Sequence, residues 1–275
     1  MGVMEKLRLD GKIIIMTGAG RGLGRAMALD LATAGADIVA AARTQEQIDE
    51  TAEMIRATGR HCIAVQVNIT DSSSMQALVD ATLAEFGRID VLVNNAGGVT
   101  RGWNKPLEEI TDNQWQKGID TNLTGAVFGC RAVIPQMLKQ GGGKIINVTS
   151  GLGVRASKYN FMYSAAKAGL INFTRCMAMN YADKNIQTNL ILPGIFPHED
   201  PDTMNFWQGG KFIPVGRVGK DEELGYLCVF LASDVSNYMN GEMISTEGGG
   251  LAGGHVPTGF APVVPLPQGA AGGAK

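Results

Sequence analysis

Tyr163 and Lys167 lie four residues apart, and their types and spacing are suited to proton transfer. Residues i and i+4 share one face of an α-helix, so the two side chains should point the same way. An ammonium group beside a phenol favours the phenolate and lowers the phenol pKa from its usual value of about 10. We therefore expect Tyr163 to act as a general acid or base near neutral pH.

Ser150, thirteen residues before the tyrosine, offers a hydroxyl to the same substrate oxygen. It follows the apolar run 144–149, which predicts a strand, whereas the small and apolar residues of 163–179 predict a buried helix. A Tyr/Lys pair with this spacing also arises by chance. The elements around the three residues must therefore decide whether they form a catalytic site.

A glycine-rich segment follows the first apolar run of the chain. Residues 12–16 read as a strand, 17–24 read TGAGRGLG, and 25–36 have a helical pattern. Glycines let the backbone approach a ligand closely, and the start of a helix favours an anion such as pyrophosphate. The spacing differs from the common G-x-G-x-x-G fingerprint, but its place between a strand and a helix favours dinucleotide binding. The contacts expected from this loop are Gly18, Gly20, Arg21, Gly22, Leu23 and Gly24.

Arg43 comes directly after the second apolar run, 37–42. In a dinucleotide-binding fold the end of this strand faces the adenosine ribose, where an acid binds the 2′-hydroxyl and an arginine suits a 2′-phosphate. Ala42 holds the place expected for the acid, and Arg21 is near enough to join Arg43. A charge-assisted hydrogen bond is worth about 1.5–3 kcal/mol, which predicts a roughly ten- to hundredfold preference for NADP(H). NAD(H) stays possible, since Arg43 could simply be a solvated residue before the next helix.

Strands and helices alternate along the whole chain. The patterns predict further strands at 61–67, 91–93, 144–149, 187–192 and 242–249, and helices at 44–59, 72–86, 111–138, 163–182 and 222–231, with Pro135 as a candidate kink. Regular alternation requires crossover connections, which predict an α/β fold: a Rossmann-type, doubly wound parallel sheet with helices on both faces, in a single domain. Ligands of such sheets bind outside the carboxyl ends of the strands. These ends add the expected cofactor contacts Asn68, Ile69, Asn95, Ala96, Gly97, Pro193, Gly194 and Ile195.

Composition excludes several classes of function. The 275 residues are 45% hydrophobic and 18% charged, and the formal net charge of −2 gives no reason to expect a nucleic-acid or membrane-surface partner. No apolar run reaches the roughly 18 residues of a membrane span, and the first residues lack the apolar core of a signal peptide. The four cysteines and three histidines have no metal-ligand spacing, so we assign no metal and expect a reducing, cytoplasmic compartment.

With these motifs in place, the chain resembles the short-chain dehydrogenase/reductase family, in its branch of single-domain enzymes. The resemblance covers about residues 7–250. It rests on TGAGRGLG at 17–24, NNAG at 94–97, PG at 193–194 and the set Asn122, Ser150, Tyr163 and Lys167, all in the family's order. It implies a catalytic domain at 1–250 and a Gly/Pro-rich tail at 251–275, beyond the point where family members usually end.

The resemblance implies a role for each residue of that set. Tyr163 would protonate a carbonyl oxygen as hydride arrives from the nicotinamide, or act as the base in reverse, while Ser150 polarises the same oxygen. Lys167 would lower the pKa of the tyrosine and hold the nicotinamide ribose. Asn122 would position a water that links Lys167 to solvent; the structural alternative is an asparagine bonded to its own backbone.

Two features depart from the family's pattern. Asn68 stands where the family often has an aspartate that accepts from the adenine amino group, although a carboxamide oxygen is still an acceptor. Relatives that reduce carrier-protein-bound 3-oxoacyl groups tend to have arginines at the positions of Pro135 and Met179. Their absence counts against a carrier protein, while Arg131 and Arg175 nearby keep that question open.

The resemblance also implies a mobile cover over the substrate at 196–212 and subunit contacts through 213–249, so we expect a homotetramer or homodimer. The aromatic residues of the cover suggest a partly apolar substrate, unless they pack in the core. Trp103 is a candidate for the opposite wall. The aromatic residues of the cover are Phe196, Phe206, Trp207 and Phe212.

These inferences predict an NADP(H)-dependent oxidoreductase that interconverts a small-molecule ketone and a secondary alcohol. One alternative is an NAD-linked dehydrogenase that oxidises a sugar, polyol or acyl-CoA alcohol. Another is a non-catalytic sensor or scaffold that binds the cofactor, which would have less reason to keep Tyr163 and Lys167 together.

Overall fold

The structure is a computed structural model that describes residues 2–99, 104–197 and 213–252. Within these ranges the strands form one sheet in the order β3-β2-β1-β4-β5-β6-β7, and every neighbouring pair is parallel. The predicted doubly wound parallel sheet is confirmed. The strands are β1 (Ile13–Thr17), β2 (Asp37–Ala42), β3 (Cys62–Gln66), β4 (Val91–Asn94), β5 (Gly143–Val148), β6 (Ile186–Pro193) and β7 (Met243–Thr246).

Helices connect the strands and cover both faces of the sheet. In the described ranges the α-helices are α1 (Val3–Leu7), α2 (Gly22–Thr33), α3 (Gln45–Arg56), α4 (Ser72–Phe86), α5 (Asp112–Ile119), α6 (Gly125–Gln140), α7 (Phe161–Tyr181) and α8 (Asp221–Ala232). None of them is both long and apolar enough to cross a bilayer. Trp103, the cover residues 198–212 and the tail from residue 253 lie outside the described ranges.

The core has two apolar layers, one on each face of the sheet. One layer joins the sheet to α2, α3 and α8, and the other joins it to α4, α6 and α7. All five residues of β1 are buried, which explains why this strand reads as a continuous apolar run instead of an alternating one. Phe196 is 8% exposed and belongs to the first layer, so the core-packing alternative holds for this residue.

The strand order reverses beside β1, which has β2 on one side and β4 on the other. Thr17 pairs with Ala41, and Met16 pairs with Val93, so the carboxyl ends of the three strands lie at one edge. The next strand continues this edge, since Asn94 pairs with Asn147. A reversal of strand order opens a crevice at the carboxyl ends, and the expected site residues converge there.

The helical run predicted over 111–138 has a more complex form. It consists of α5, a π-helical turn at Asp120–Thr124 and α6, and Pro135 lies inside α6. A capping box begins α5, where the hydroxyl oxygen of Thr111 accepts from the backbone N–H of Gln114 at 3.3 Å. The π turn holds one more residue than an α turn, and it carries one of the expected site residues.

Candidate active site

Helix α7 places Tyr163 and Lys167 on one face, as their spacing predicts. The Nζ atom of Lys167 lies 5.7 Å from the centroid of the Tyr163 ring. Lys167 is only 4% exposed, and its Nζ donates a hydrogen bond to the carbonyl oxygen of Val148 at 2.9 Å. The ammonium group is therefore fixed against the end of β5, beside the phenol.

Ser150 brings a second hydroxyl to Tyr163. It follows the carboxyl end of β5 in an extended conformation, and its oxygen accepts from the backbone N–H of Leu152 at 3.2 Å. The Ser150 side chain is close enough to Tyr163 to lower the pKa of the phenol by hydrogen bonding. The structure thus brings together the three residues with which the sequence prediction began.

Asn122 is buried in the π turn and braces the loop after β4. Its Oδ1 accepts from the backbone N–H of Gly98 at 2.8 Å, and its Nδ2 donates to the carbonyl oxygens of Gly98 at 3.1 Å and Gly118 at 3.0 Å. A Cβ atom built on Gly97 would lie 2.8 Å from Asn122 Oδ1 and 3.4 Å from Lys167 Nζ. Asn122 and Lys167 are therefore near neighbours across this glycine. The alternative of a bond to its own helix is also realised, through Gly118.

The pKa of Tyr163 contradicts the sequence-based expectation. Burial raises the pKa of the phenol, and the hydrogen bond with Ser150 lowers it only in part. Burial also lowers the pKa of Lys167 to about 8. Both charged forms lose hydration in the same enclosed site, which opposes the attraction between ammonium and phenolate on which the expectation was based. The prediction that Lys167 brings the phenol pKa below its ordinary value is therefore wrong for this structure.

The glycine loop and the start of α2 form a cradle that suits an anion. No side chain caps the first turn of α2, which leaves its backbone N–H groups available to a ligand. Gly18 and Gly22 have φ angles of +69° and +52°, which side chains rarely adopt. A Cβ atom on Gly24 would lie 2.0 Å from the carbonyl oxygen of Gly18, so the loop folds tightly on itself. These features fit the pyrophosphate of a dinucleotide.

Two residues that the sequence prediction missed hold this loop from behind. The hydroxyl of Thr51, fully buried on α3, donates to the carbonyl oxygen of Ala19 at 2.9 Å. Arg25 Nη2 donates to the carbonyl oxygen of Gly20 at 2.5 Å, and Arg25 Nε donates to Thr51 Oγ1 at 3.0 Å. The contacts of Thr51 depend on how α3 packs beside the loop, and no motif in the sequence marks either residue.

The NNAG segment is attached to the same loop through Thr17, a further residue missed as a site residue. The hydroxyl oxygen of Thr17 accepts from the backbone N–H groups of Asn95 at 3.1 Å and Ala96 at 3.2 Å. Asn95 Nδ2 donates to the carbonyl oxygen of Thr17 at 3.1 Å. Asn95, Ala96 and Gly97 therefore lie beside the glycine loop, as a shared cofactor site requires.

The remaining residues expected to contact the cofactor include several at strand ends, and one of these, Asn68, is already hydrogen-bonded within the protein. Arg43 is exposed just beyond β2, and Arg21 is exposed in the glycine loop. Asn68 follows β3, but its Oδ1 accepts from both the N–H and the hydroxyl of Thr70, at 3.2 and 2.9 Å. An oxygen with two bonds has little capacity left for an adenine amino group. The remaining expected residues are Ile69, which is 9% exposed, and Pro193, Gly194 and Ile195 at the end of β6.

A pocket opens in front of the phenol of Tyr163. Its lining residues include Asn104, Asn122, Asn160 and Met162. The Oδ1 atom of Asn160 is shielded from solvent and accepts no hydrogen bond within the described residues. Asn104 and Asn160 were not predicted as site residues, because a lone asparagine in a loop gives no signal in a single sequence.

The chain is similar to known proteins of one enzyme family. Residues 12–201 match the sequence profile of the family described as short chain dehydrogenase. The chain is 38% identical over 243 residues to a 3-oxoacyl-(acyl-carrier-protein) reductase of Synechocystis, covering 88% of this chain and 97% of the relative. It is 36% identical over 256 residues to a 2-dehydro-3-deoxy-D-gluconate 5-dehydrogenase of Dickeya dadantii, covering 91% and 99%. Among solved structures, a gluconate 5-dehydrogenase from Burkholderia cenocepacia in complex with NADP and tartrate aligns with a TM-score of 0.82 and 32% identity, covering 90% of this chain and 98% of that one.

Proposed function

The chain belongs to the short-chain dehydrogenase family of oxidoreductases, and we propose that it interconverts a small-molecule ketone and a secondary alcohol with NADP(H). One observation carries the proposal: the phenol of Tyr163 has the Ser150 side chain as a neighbour that lowers its pKa, and the ammonium of Lys167 lies 5.7 Å from the centroid of its ring. This arrangement can supply a proton and a second hydroxyl to one substrate oxygen. A non-catalytic scaffold would have no need of it.

In the reduction direction Tyr163 acts as the acid. Its hydroxyl gives a proton to the carbonyl oxygen, and Ser150 donates a hydrogen bond to the same oxygen as negative charge develops there. The bound nicotinamide supplies the hydride. Because burial raises the pKa of the phenol, Tyr163 keeps its proton at neutral pH and is ready for reduction.

Lys167 and Asn122 support this proton transfer. The cation of Lys167 stabilises negative charge on the phenol oxygen after the proton leaves, and its contact with Val148 holds it in place. Asn122, its neighbour across Gly97, fixes the turn through which a water can reach the lysine. Lys167 also holds the nicotinamide ribose in this proposal.

NADP(H) is the favoured cofactor, and NAD(H) is the alternative. The uncapped start of α2 suits the pyrophosphate, and Arg21 and Arg43 are exposed cations that suit a 2′-phosphate. The NADP in the structure of the Burkholderia gluconate 5-dehydrogenase supports this choice.

A small hydroxylated ketone, such as a keto sugar acid, is the substrate class that the pocket favours. A carboxamide such as that of Asn104 both donates and accepts, which matches the hydroxyl groups of such a compound. The Dickeya relative named for 2-dehydro-3-deoxy-D-gluconate supports the same class. A carrier-bound acyl group is the second candidate, since the Synechocystis relative is named for it, but Pro135 and Met179 present no charge to a carrier protein.

We further propose that the protein is a homotetramer or homodimer in the cytoplasm. Met179 and Phe161 on α7 are 83% and 39% exposed, and such apolar side chains are suited to a subunit contact. The cysteines at positions 62, 130, 176 and 228 are free thiols, in accord with a reducing compartment. Sedimentation analysis tests the assembly, and a monomer at micromolar concentration would contradict it.

The proposed function is tested by replacing the acid. Keto sugar acids and simple ketones are assayed with NADPH and NADH for the wild-type protein and for Tyr163→Phe. We expect Tyr163→Phe to lower kcat by roughly 10²–10⁴ and to leave the Kd for NADPH almost unchanged, because only the proton donor is lost. Tyr226→Phe is the matched control, since Tyr226 is 65% exposed on α8. Wild-type turnover by Tyr163→Phe, or NADPH binding without turnover of any carbonyl compound, would refute the proposal.

A further inference from the structure

Three consecutive residues at the end of β5 are each hydrogen-bonded to α7, and we propose that Asn147, Thr149 and Thr174 are positioning residues for the reaction. The inference rests on the proposed function, because these bonds align the strand that leads into Ser150 with the helix that carries the phenol and the ammonium. We call this set of bonds the β5–α7 clasp.

The first bond of the clasp joins Asn147 to Thr174. Asn147 Nδ2 donates to Thr174 Oγ1 at 2.8 Å, and both residues are fully buried. The hydroxyl of Thr174 in turn donates to the carbonyl oxygen of Leu170 at 2.8 Å, within α7. A hydroxyl has one proton to donate, so its oxygen is left to accept from Asn147. The two bonds fix the direction of both side chains.

The next two residues of the chain hold Lys167 at both ends. The carbonyl oxygen of Val148 accepts from Lys167 Nζ at 2.9 Å, and the hydroxyl of Thr149 donates to the backbone carbonyl oxygen of Lys167 at 3.2 Å. Thr149 is 2% exposed and immediately precedes Ser150. A change in the contact between Thr149 and α7 therefore reaches Ser150 through a single peptide unit.

The carboxamide of Asn147 also links the clasp to the rest of the site. Its Oδ1 accepts from Asn94 Nδ2 at 2.9 Å, and the same nitrogen of Asn94 lies 3.4 Å from the Sγ of Cys130 and from the carbonyl oxygen of Ala126, both on α6. Helix α6 continues from the π turn that contains Asn122. One buried polar chain thus joins the elements that carry all four expected catalytic residues.

Apolar packing alone would fix the position and rotation of α7 less well than this clasp does. Burial of apolar surface is non-directional, so a helix can slide or rotate slightly with little loss, whereas a hydrogen bond weakens steeply when its angle is wrong. Thr174 lies seven residues after Lys167, which is about two turns or 10 Å along the helix axis on the same face. The clasp therefore fixes both the axial position and the rotation of α7. A displacement of about 1 Å at a catalytic group can cost roughly a hundredfold in rate.

The test compares Thr174→Val with Thr174→Ser and with a matched control, Thr82→Val. Thr82 is also fully buried in a helix, and its hydroxyl donates to the carbonyl oxygen four residues earlier, Leu78, at 2.8 Å. Thr174→Val and Thr82→Val thus lose the same local bond, but only Thr174→Val also leaves Asn147 without its acceptor. Thr174→Ser keeps the hydroxyl.

We expect Thr174→Val to lower kcat by roughly ten- to hundredfold with less than a twofold change in the Kd for NADPH. Thr174→Ser and Thr82→Val should stay within about threefold of the wild-type kcat. A second pair, Thr149→Val and Thr149→Ser, tests the other side-chain bond of the clasp with the same expected contrast. If Thr174→Val does not fold, the Thr149 pair tests the role of the clasp instead.

A readout without turnover separates this inference from the proposed function. Titration of tyrosine absorbance in the wild type, minus that of Tyr163→Phe, gives the pKa of Tyr163, and Thr174→Val should raise it because the Ser150 contact is displaced. Equal kcat and equal titration in Thr174→Val and Thr82→Val would overturn the clasp while leaving the reaction intact. Equal loss in Thr174→Val and Thr174→Ser would show that packing is responsible, which also overturns it. Full activity of Tyr163→Phe would instead refute the proposed function.

Discussion

Lys167 and Tyr163 occupy successive turns of α7, with the lysine Nζ 5.7 Å from the ring centroid of the tyrosine. Burial acts on the two residues in opposite directions, since it raises the pKa of the phenol and lowers the pKa of the ammonium to about 8. Near neutral pH the pair is a phenol beside an ammonium. This is the state that a proton donor needs at the start of a reduction.

The pH dependence of the two reaction directions should therefore differ. Reduction needs a protonated Tyr163 and a charged Lys167, so its kcat should be level near neutral pH and fall as pH rises through about 8, where the lysine loses its proton. Oxidation needs the phenolate, so its rate should increase with pH over the same range. Both directions are measured as kcat against pH, in buffers of constant ionic strength.

Lys167→Arg is the control for the expected decrease of the reduction kcat at high pH. An arginine stays charged at every pH of the assay, so this decrease should move to higher pH even if the absolute rate is lower. A reduction rate that keeps rising above pH 8 in the wild type would contradict the assignment.

Arg43→Gln should change cofactor preference more than turnover. Loss of one charge-assisted bond to a 2′-phosphate, worth about 1.5–3 kcal/mol, should raise the Kd for NADPH roughly ten- to hundredfold and leave the Kd for NADH within about twofold. Fluorescence titration with both nucleotides measures this. Arg175→Gln, a change of the same kind on the exposed side of α7, should alter neither constant. Equal Kd values for the two nucleotides in the wild type would favour the NAD-linked alternative.

Gly97→Ala should impair catalysis through steric contact. The added methyl group would lie 2.8 Å from Asn122 Oδ1 and 3.4 Å from Lys167 Nζ, so one of these side chains must move. We expect kcat to fall roughly tenfold or more, since small displacements in the site are costly. Gly2→Ala is the control, because a methyl group there meets no atom within 4 Å. An unchanged kcat in Gly97→Ala would show that the neighbouring positions of Asn122 and Lys167 do not matter.

Asp90→Ala should reduce stability without affecting the reaction. Asp90 lies before β4, at the opposite end of the sheet from the site, and its Oδ2 accepts from the buried N–H of Ile13 at 2.9 Å. Removal of the carboxylate leaves that N–H unpaired, which costs about 1–3 kcal/mol in the free energy of unfolding. Urea unfolding measures the change, with Asp183→Ala at an exposed position as the control. A lower kcat at full folding would contradict this purely structural role.

Much of the fold follows from hydrophobic periodicity. The alternation of strands and helices predicted the parallel sheet, since each crossover is the same local unit repeated along the chain. Boundaries were less predictable: the last strand ends at Thr246 instead of residue 249, and α6 runs through Pro135 to Gln140. The short helix α1 was not predicted, because five residues give too few turns for a period.

The proximity of Tyr163 and Lys167 was predictable from residue type and spacing, and Asn122 was named only through the family resemblance, whereas the supporting residues were not predicted. Thr17 and Thr51 bond to backbone atoms that are distant in sequence, and Arg25 bonds to the distant side chain of Thr51; only the packed structure brings these partners together. The same limit explains the error for Tyr163, because the sequence shows the neighbouring charge but not the depth of burial. Asn68 is a similar case, since its contact with Thr70 depends on the shape of a loop.

The π turn at Asp120–Thr124 makes the helical run 112–140 sensitive to a change in its length. This turn contains one residue more than an α turn, so deletion of one amino acid there would let α5 and α6 join into one continuous α-helix. Each position carries about 100° of rotation, and the amide at 122 would then swing away from the loop after β4. The deletion would thus make the helix more regular and lower the activity of the enzyme.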